Sequence, residues 1–165
     1  GDVQMTTGCH NGFGTAYCRT CAFESLCFNT YSGTGKAAFS FELPGDMLPF
    51  ACEAGGKGWI MTTGAFVCGT PNVKVSAKFS GVPVCLCGGE GPFLTHVTSE
   101  DALGVFYAGG YGAIQKHTIG QGELFYVDTG LFFAASDDTI IDVAIAGGNV
   151  LTCCCGGEGF VMKFM

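Results

Sequence analysis

The feature that most constrains this chain is an internal repeat. Three segments share one pattern: Cys21-Ala-Phe-Glu24, Cys87-Gly-Gly-Glu90 and Cys155-Gly-Gly-Glu158, each followed by one more residue and an apolar stretch. Glu24 and Glu90 lie 66 residues apart, Glu90 and Glu158 68. A second marker keeps the same phase. Thr63-Gly64-Ala-Phe66 follows Glu24 by 40 residues, counted to the glycine, and Thr129-Gly130-Leu-Phe132 follows Glu90 by 40. Two unrelated markers in fixed phase point to a unit of about 66 residues copied in tandem.

The units read as strands. Val73, Val75, Ala77 and Phe79 alternate with Lys74, Ser76 and Lys78, and Ile141, Val143 and Ile145 alternate with Asp142 and Ala144. A period of two marks a half-buried strand. Phe39-Ser-Phe41-Glu-Leu43 also alternates and is expected to be a strand ended by Pro44-Gly45. Trp59-Ile-Met61 and Leu124 to Val127 are apolar runs of strand length, and Val3 and Met5 flanking Gln4 mark another strand. Gly reaches 28 of 165 residues, and the Gly pairs 55-56 and 109-110 punctuate turns. No long stretch keeps a helical period, which leaves no room for the crossover helices of a parallel α/β sheet. The expectation is a single all-β domain over 1–165, of double-stranded β-helix or β-sandwich type. Its three pseudo-repeats are 1–30 (partial), 31–96 and 97–165. On this reading a first half-unit is missing, and a longer parent chain or a neighbouring subunit covers the edges this exposes.

The net charge is −7, and the seven Lys and Arg residues are scattered. Nucleic acid and anionic lipid both need concentrated positive charge, so neither is an expected partner. No apolar run reaches the ~18 residues of a membrane-spanning helix, and no signal peptide is visible. Eleven cysteines, an odd number, include the adjacent Cys153, Cys154 and Cys155. That is a poor disulfide framework and points to an intracellular, reducing compartment, cytoplasm or mitochondrion.

Several motifs together resemble a known family. They are Phe23-Glu-Ser-Leu-Cys-Phe-Asn-Thr-Tyr31, Pro44-Gly-Asp-Met-Leu-Pro49, Gly64-Ala-Phe66, Thr70-Pro-Asn-Val73, Gly88-Gly-Glu-Gly91, Val127-Asp-Thr-Gly130 and Gly156-Gly-Glu-Gly159. In this order they resemble the mitochondrial biogenesis family of the "altered inheritance of mitochondria" type and its uncharacterised bacterial relatives. The resemblance implies a β-rich fold like that of the tryptophan RNA-binding attenuator protein. It also implies no enzymatic activity, and for mitochondrial members an association with the inner-membrane cristae complex. Two departures stand out: the usual N-terminal half-repeat and final strand are missing, and cysteine is more frequent than in the family. RNA binding does not carry over, because fold alone does not fix function and the chain is acidic.

Each candidate site has a structural and a chemical reading. Glu24, Glu90 and Glu158 would form a ring of carboxylates able to hold a cation. Structurally, Gly88, Gly89, Gly91, Gly156, Gly157 and Gly159 take up bends, and the glutamates accept backbone N–H bonds there. Cys21, Cys87 and Cys155 occupy matching places and would bring three thiolates to one axis as metal ligands. Structurally they are small buried apolar residues. The three histidines, His10, His96 and His117, lack the His-x-His or His-x-Asp pair of a β-helix iron site. Gly33-Thr-Gly35-Lys36 lacks the four-residue insert of a phosphate loop. Nothing in the sequence selects a nucleophile pair such as Cys52 with His117.

The expectation is therefore a non-enzymatic structural or assembly protein without a cofactor, acting as a homo-oligomer or on a protein partner. The alternative is a metal- or small-ligand-binding module on the cysteine axis.

Overall fold

The computed structural model describes residues 1–8, 27–79, 93–145 and 160–165. The described chain is almost entirely β. Twelve strands run β1 (Val3–Gly8), β2 (Phe28–Gly33), β3 (Met47–Cys52), β4 (Trp59–Met61), β5 (Phe66–Gly69), β6 (Val73–Phe79), β7 (Phe93–Ser99), β8 (Gly104–Gly109), β9 (Phe125–Asp128), β10 (Ala134–Ser136), β11 (Ile141–Ile145) and β12 (Phe160–Phe164). A 3₁₀ turn, Thr129–Leu131, is capped by the Asp128 side chain, which accepts from the Gly130 N–H. The all-β expectation holds.

Four antiparallel sheets result, with strand orders β1-β2, β10-β4-β7-β6, β11-β12-β9 and β3-β8-β5. Three long hairpins stand out: β1 with β2, β6 with β7, and β11 with β12. In the second and third hairpins the later strand takes a further antiparallel partner, β4 on β7 and β9 on β12. β4 in turn carries β10 on its outer side. Strands β2 and β7 run across positions 30–31 and 96–97, where the sequence units were divided.

The alternation seen in the sequence follows from burial on the two faces of the sheet β10-β4-β7-β6. Met61, Val75 and Val97 belong to one apolar core, with Trp59, Val73 and Ala134 packed against it. Ile60 and Leu94 belong to a second core, with Ala135 packed against it. The first core is completed from the sheet β3-β8-β5 by Cys52, Phe106 and Ala108, the second from β11-β12-β9 by Met162 and Phe164. One sheet thus lies between two cores. Phe106 is fully buried and stacks on Phe50 at 5.2 Å between ring centroids. The hairpin β1-β2 is exposed along most of its length, and Phe28 joins it to the first core through an edge-on contact with Phe66.

One expected strand is corrected. Residues 39–43 form no strand. Phe41 lies against Gly109, where a Cβ would meet its ring, and Phe39 packs edge-on against Tyr31 at 5.2 Å. The alternating aromatics serve individual contacts rather than one face of a sheet. The first Thr-Gly-x-Phe marker runs into β5 at Phe66 and the second ends before β10, and their backbones differ: Gly64 has φ +78°, whereas Gly130 sits inside the 3₁₀ turn.

Candidate functional site: an apolar groove

The motif Pro44-Gly-Asp-Met-Leu-Pro49 builds one lip of a groove. Gly45 bridges Gly112, and a Cβ at Gly45 would overlap the Gly110 carbonyl, so glycine is required by close approach. Asp46 donates its N–H to the Gly112 carbonyl at 2.9 Å and accepts from Gly110 N–H at 3.1 Å. Its carboxylate accepts from Ile114 N–H at 2.9 Å. These bonds fix the segment that presents Tyr111. Farther along, Glu123 accepts from Gly120 N–H at 2.8 Å and pairs with His117 Nε2 at 3.3 Å. The Gly120 N–H, and then His117, hold the Glu123 carboxyl below its ordinary value. His117 also stacks on Phe125, with centroids 3.9 Å apart and planes 11° apart.

The groove encloses about 1990 Å³ between strand β3, the segment 109–122, strand β9 and the chain leading into β10. Its walls expose large apolar groups: Tyr111 at 77%, Leu131 at 75%, Leu43 at 54% and Tyr126 at 51%. Lys116, His117 and Asp138 add polar points along it.

A second polar cluster sits on the β7 face that carries Leu94. His96 Nε2 lies 3.0 Å from Asp137 Oδ2, and both side chains are largely covered. Asp137 N–H donates to the Gly58 carbonyl at 3.1 Å, and the neighbouring Asp138 pairs with Lys57. Partial burial works to raise the Asp137 carboxyl. Hydrogen bonds from His96 and the Gly58 backbone, with the Lys78 charge, outweigh it, so the pKa lies below the ordinary value. The pairs pin the β10–β11 turn against β4 and β7. His96 thus finds its acid far along the chain rather than in Glu100 or Asp101, and Glu100 pairs with Lys74.

Cys52 and His117 have separate engagements. The Cys52 thiol is fully buried and donates to the Val97 carbonyl at 3.6 Å. Burial, then the Asp137 charge, pushes its pKa up, which disfavours the nucleophilic thiolate. Burial raises Cys68 as well. Among the described residues no group of three or more His, Cys, Asp or Glu side chains is placed to hold a metal. The sequence candidates Cys21, Cys87 and Cys155, with Glu24, Gly88, Gly89, Glu90, Gly91, Gly156, Gly157, Glu158 and Gly159, lie outside the described residues. Gly33-Thr-Gly35-Lys36 closes β2 in a bend, with Gly33 at φ +116°.

Those motifs of the resemblance that lie among the described residues form joints between segments. Thr70 accepts from Val105 N–H at 3.1 Å, and Asn72 donates to Ser99 Oγ at 2.9 Å and to the Ala102 carbonyl at 3.0 Å. Asp128 caps the 3₁₀ turn after β9. The sequence profile of the family described as mitochondrial biogenesis AIM24 matches residues 1–165. The chain belongs to the AIM24 family. No curated protein matches it. A crystal structure of protein SPYM3_0169 from Streptococcus pyogenes has a similar fold. Its TM-score is 0.67 at 20% identity, and the match covers 98% of this chain and 71% of the bacterial one. Among the described residues no helix is long and apolar enough to cross a membrane. Sequence reading of this AIM24 member missed the groove: Leu43, Tyr111, Tyr126 and Leu131 are far apart in the chain and share no pattern.

Proposed function

We propose that the protein is a non-enzymatic β scaffold of the mitochondrial biogenesis family that self-associates through the apolar groove. The exposure of Tyr111, Leu131, Leu43 and Tyr126 on one concave surface carries this reading. Burying such groups against a second chain is favourable by about 25 cal/mol per Å² of apolar area. The polar pairs fit a structural role: His117–Glu123 and His96–Asp137 each bind neighbouring chain segments together.

The groove rests on a scaffold we read as one hairpin unit used three times. The matching partners β4 on β7 and β9 on β12 support that reading. The reduced thiols of Cys52 and Cys68 are in keeping with a reducing compartment. The test is light scattering coupled to size-exclusion chromatography over a concentration series. A mass that rises with concentration, and falls when Leu131 and Tyr111 are replaced by Ser, is expected. A monomer at every concentration overturns the reading.

A further inference from the structure

Sheet edges invite strand addition, and folded proteins normally block them. Most outer strands here carry such a block. β3 has Pro49 at its middle. β5 has a bulge between Phe66 and Cys68. β6 carries Lys74 and Lys78, and β10 is three residues long. On β11 the Asp142 carboxylate accepts the Val143 N–H at 2.8 Å, taking up a backbone donor. Three outer strands lack any block, β9, β1 and β2, and on β2 the Tyr31 ring is already packed edge-on against Phe39 at 5.2 Å. β9, Phe-Tyr-Val-Asp, has no bulge, proline or lysine, and its terminal Asp128 is turned to capping the next turn. β1, Val-Gln-Met-Thr-Thr-Gly, has no charge, proline or bulge, and exposes Val3 at 39% and Met5 at 58%.

The molecule itself shows what belongs beside β9. β4 and β9 hold equivalent places, each paired with the later strand of a long hairpin. β4 carries β10 antiparallel on its outer side, with Ala134 opposite Met61 and Ser136 opposite Trp59. Among the described residues no strand holds that place on β9, and the groove opens there, lined by Tyr126 and Asp128.

We propose that β1 of a second copy of this chain adds antiparallel to the outer edge of β9, as β10 adds to β4. The inference rests on the self-association reading and names the contact. Backbone hydrogen bonds supply the pairing. Val3 and Met5, two residues apart on one face of the strand, lay apolar side chains over Tyr126 and the groove. The contact joins unlike surfaces, so every chain carries one donor strand and one acceptor edge.

The test uses the full chain and places a guarding lysine on each strand: Met5→Lys on the donor and Tyr126→Lys on the acceptor. Light scattering over a dilution series is expected to show each variant dissociating at least about tenfold more readily than the unaltered chain. An equimolar mixture of the two variants regains association, because one retains an intact acceptor and the other an intact donor. If the unaltered chain associates and both variants associate equally well, strand addition is overturned while the groove reading stands. An unaltered chain that is always monomeric overturns both. Should a variant lose its β signature in circular dichroism, amide exchange on the unaltered chain decides. Of the Tyr126 and Val127 amides, the one directed away from β12 then slows as concentration rises, and no slowing overturns the proposal.

Discussion

Asp137 shows how much one carboxylate can do in a chain with few charges. It ties the β10–β11 turn to His96 and to Gly58. Its folded pKa is below the ordinary 3.8, so its stabilisation is complete above the unfolded value and is lost as pH falls through the folded one. Asp137→Asn should therefore lower the unfolding temperature at pH 7. It should also shrink the difference between chain and variant as the pH drops from about 5 to 3; thermal melts across that range check it. Cys52 makes the opposite case. Its covered, protonated thiol should react with maleimide only as fast as the first core opens, and mass spectrometry with and without denaturant reads this directly. The same scale explains why the motifs of the Asp46 lip were visible in sequence and their purpose was not. Gly45 and Asp46 act on Gly110, Gly112 and Ile114, more than sixty residues away, and nothing local records that partnership.

Among the elements, legibility followed how plainly polar and apolar residues alternate. β6 and β11 were evident because Lys74, Ser76 and Lys78 alternate with apolar residues along the first, and Asp142 and the small Ala144 alternate with Ile and Val along the second. β8 was not: Phe106 and Ala108 are buried and Tyr107 between them is exposed, but Val105, Phe106, Tyr107 and Ala108 are all apolar, so the alternation leaves no trace in the sequence. β3 was hidden by Pro49, which reads as a strand breaker but is tolerated on an outer strand. The reverse error occurred at 39–43, where alternation without a neighbouring strand produced only separate aromatic contacts. The contact between Gly109 and Phe41 yields an element-scale prediction. Gly109→Ala should displace Phe41 from the end of β8 and lower stability by about 1–3 kcal/mol, measured by chemical denaturation.

For the whole molecule, the arrangement of one sheet between two cores governs how the chain comes apart. Phe164 lies in the second core, and Trp59 packs against the first, its Nε1–H donating to the Ala51 carbonyl at 3.0 Å. Phe164→Ala should cost about 3–5 kcal/mol, and Trp59 fluorescence should register the full loss although the substitution is in the other core. Fluorescence and circular dichroism should give coincident transitions. Separate midpoints would mean that the cores open independently. Net charge sets a further expectation: a chain at −7 repels its own kind at low ionic strength, so association should strengthen between about 10 and 150 mM salt.

A sheet that serves two interiors also limits how such a sequence can drift. Ile60 and Met61 are adjacent in the chain yet answer to different cores. A change in either shifts the strand they share, and the opposite interior must then accommodate the shift. Tolerated replacements in β4 and β7 should therefore come in linked sets that span both interiors, and the outer sheets should vary more freely than the middle one.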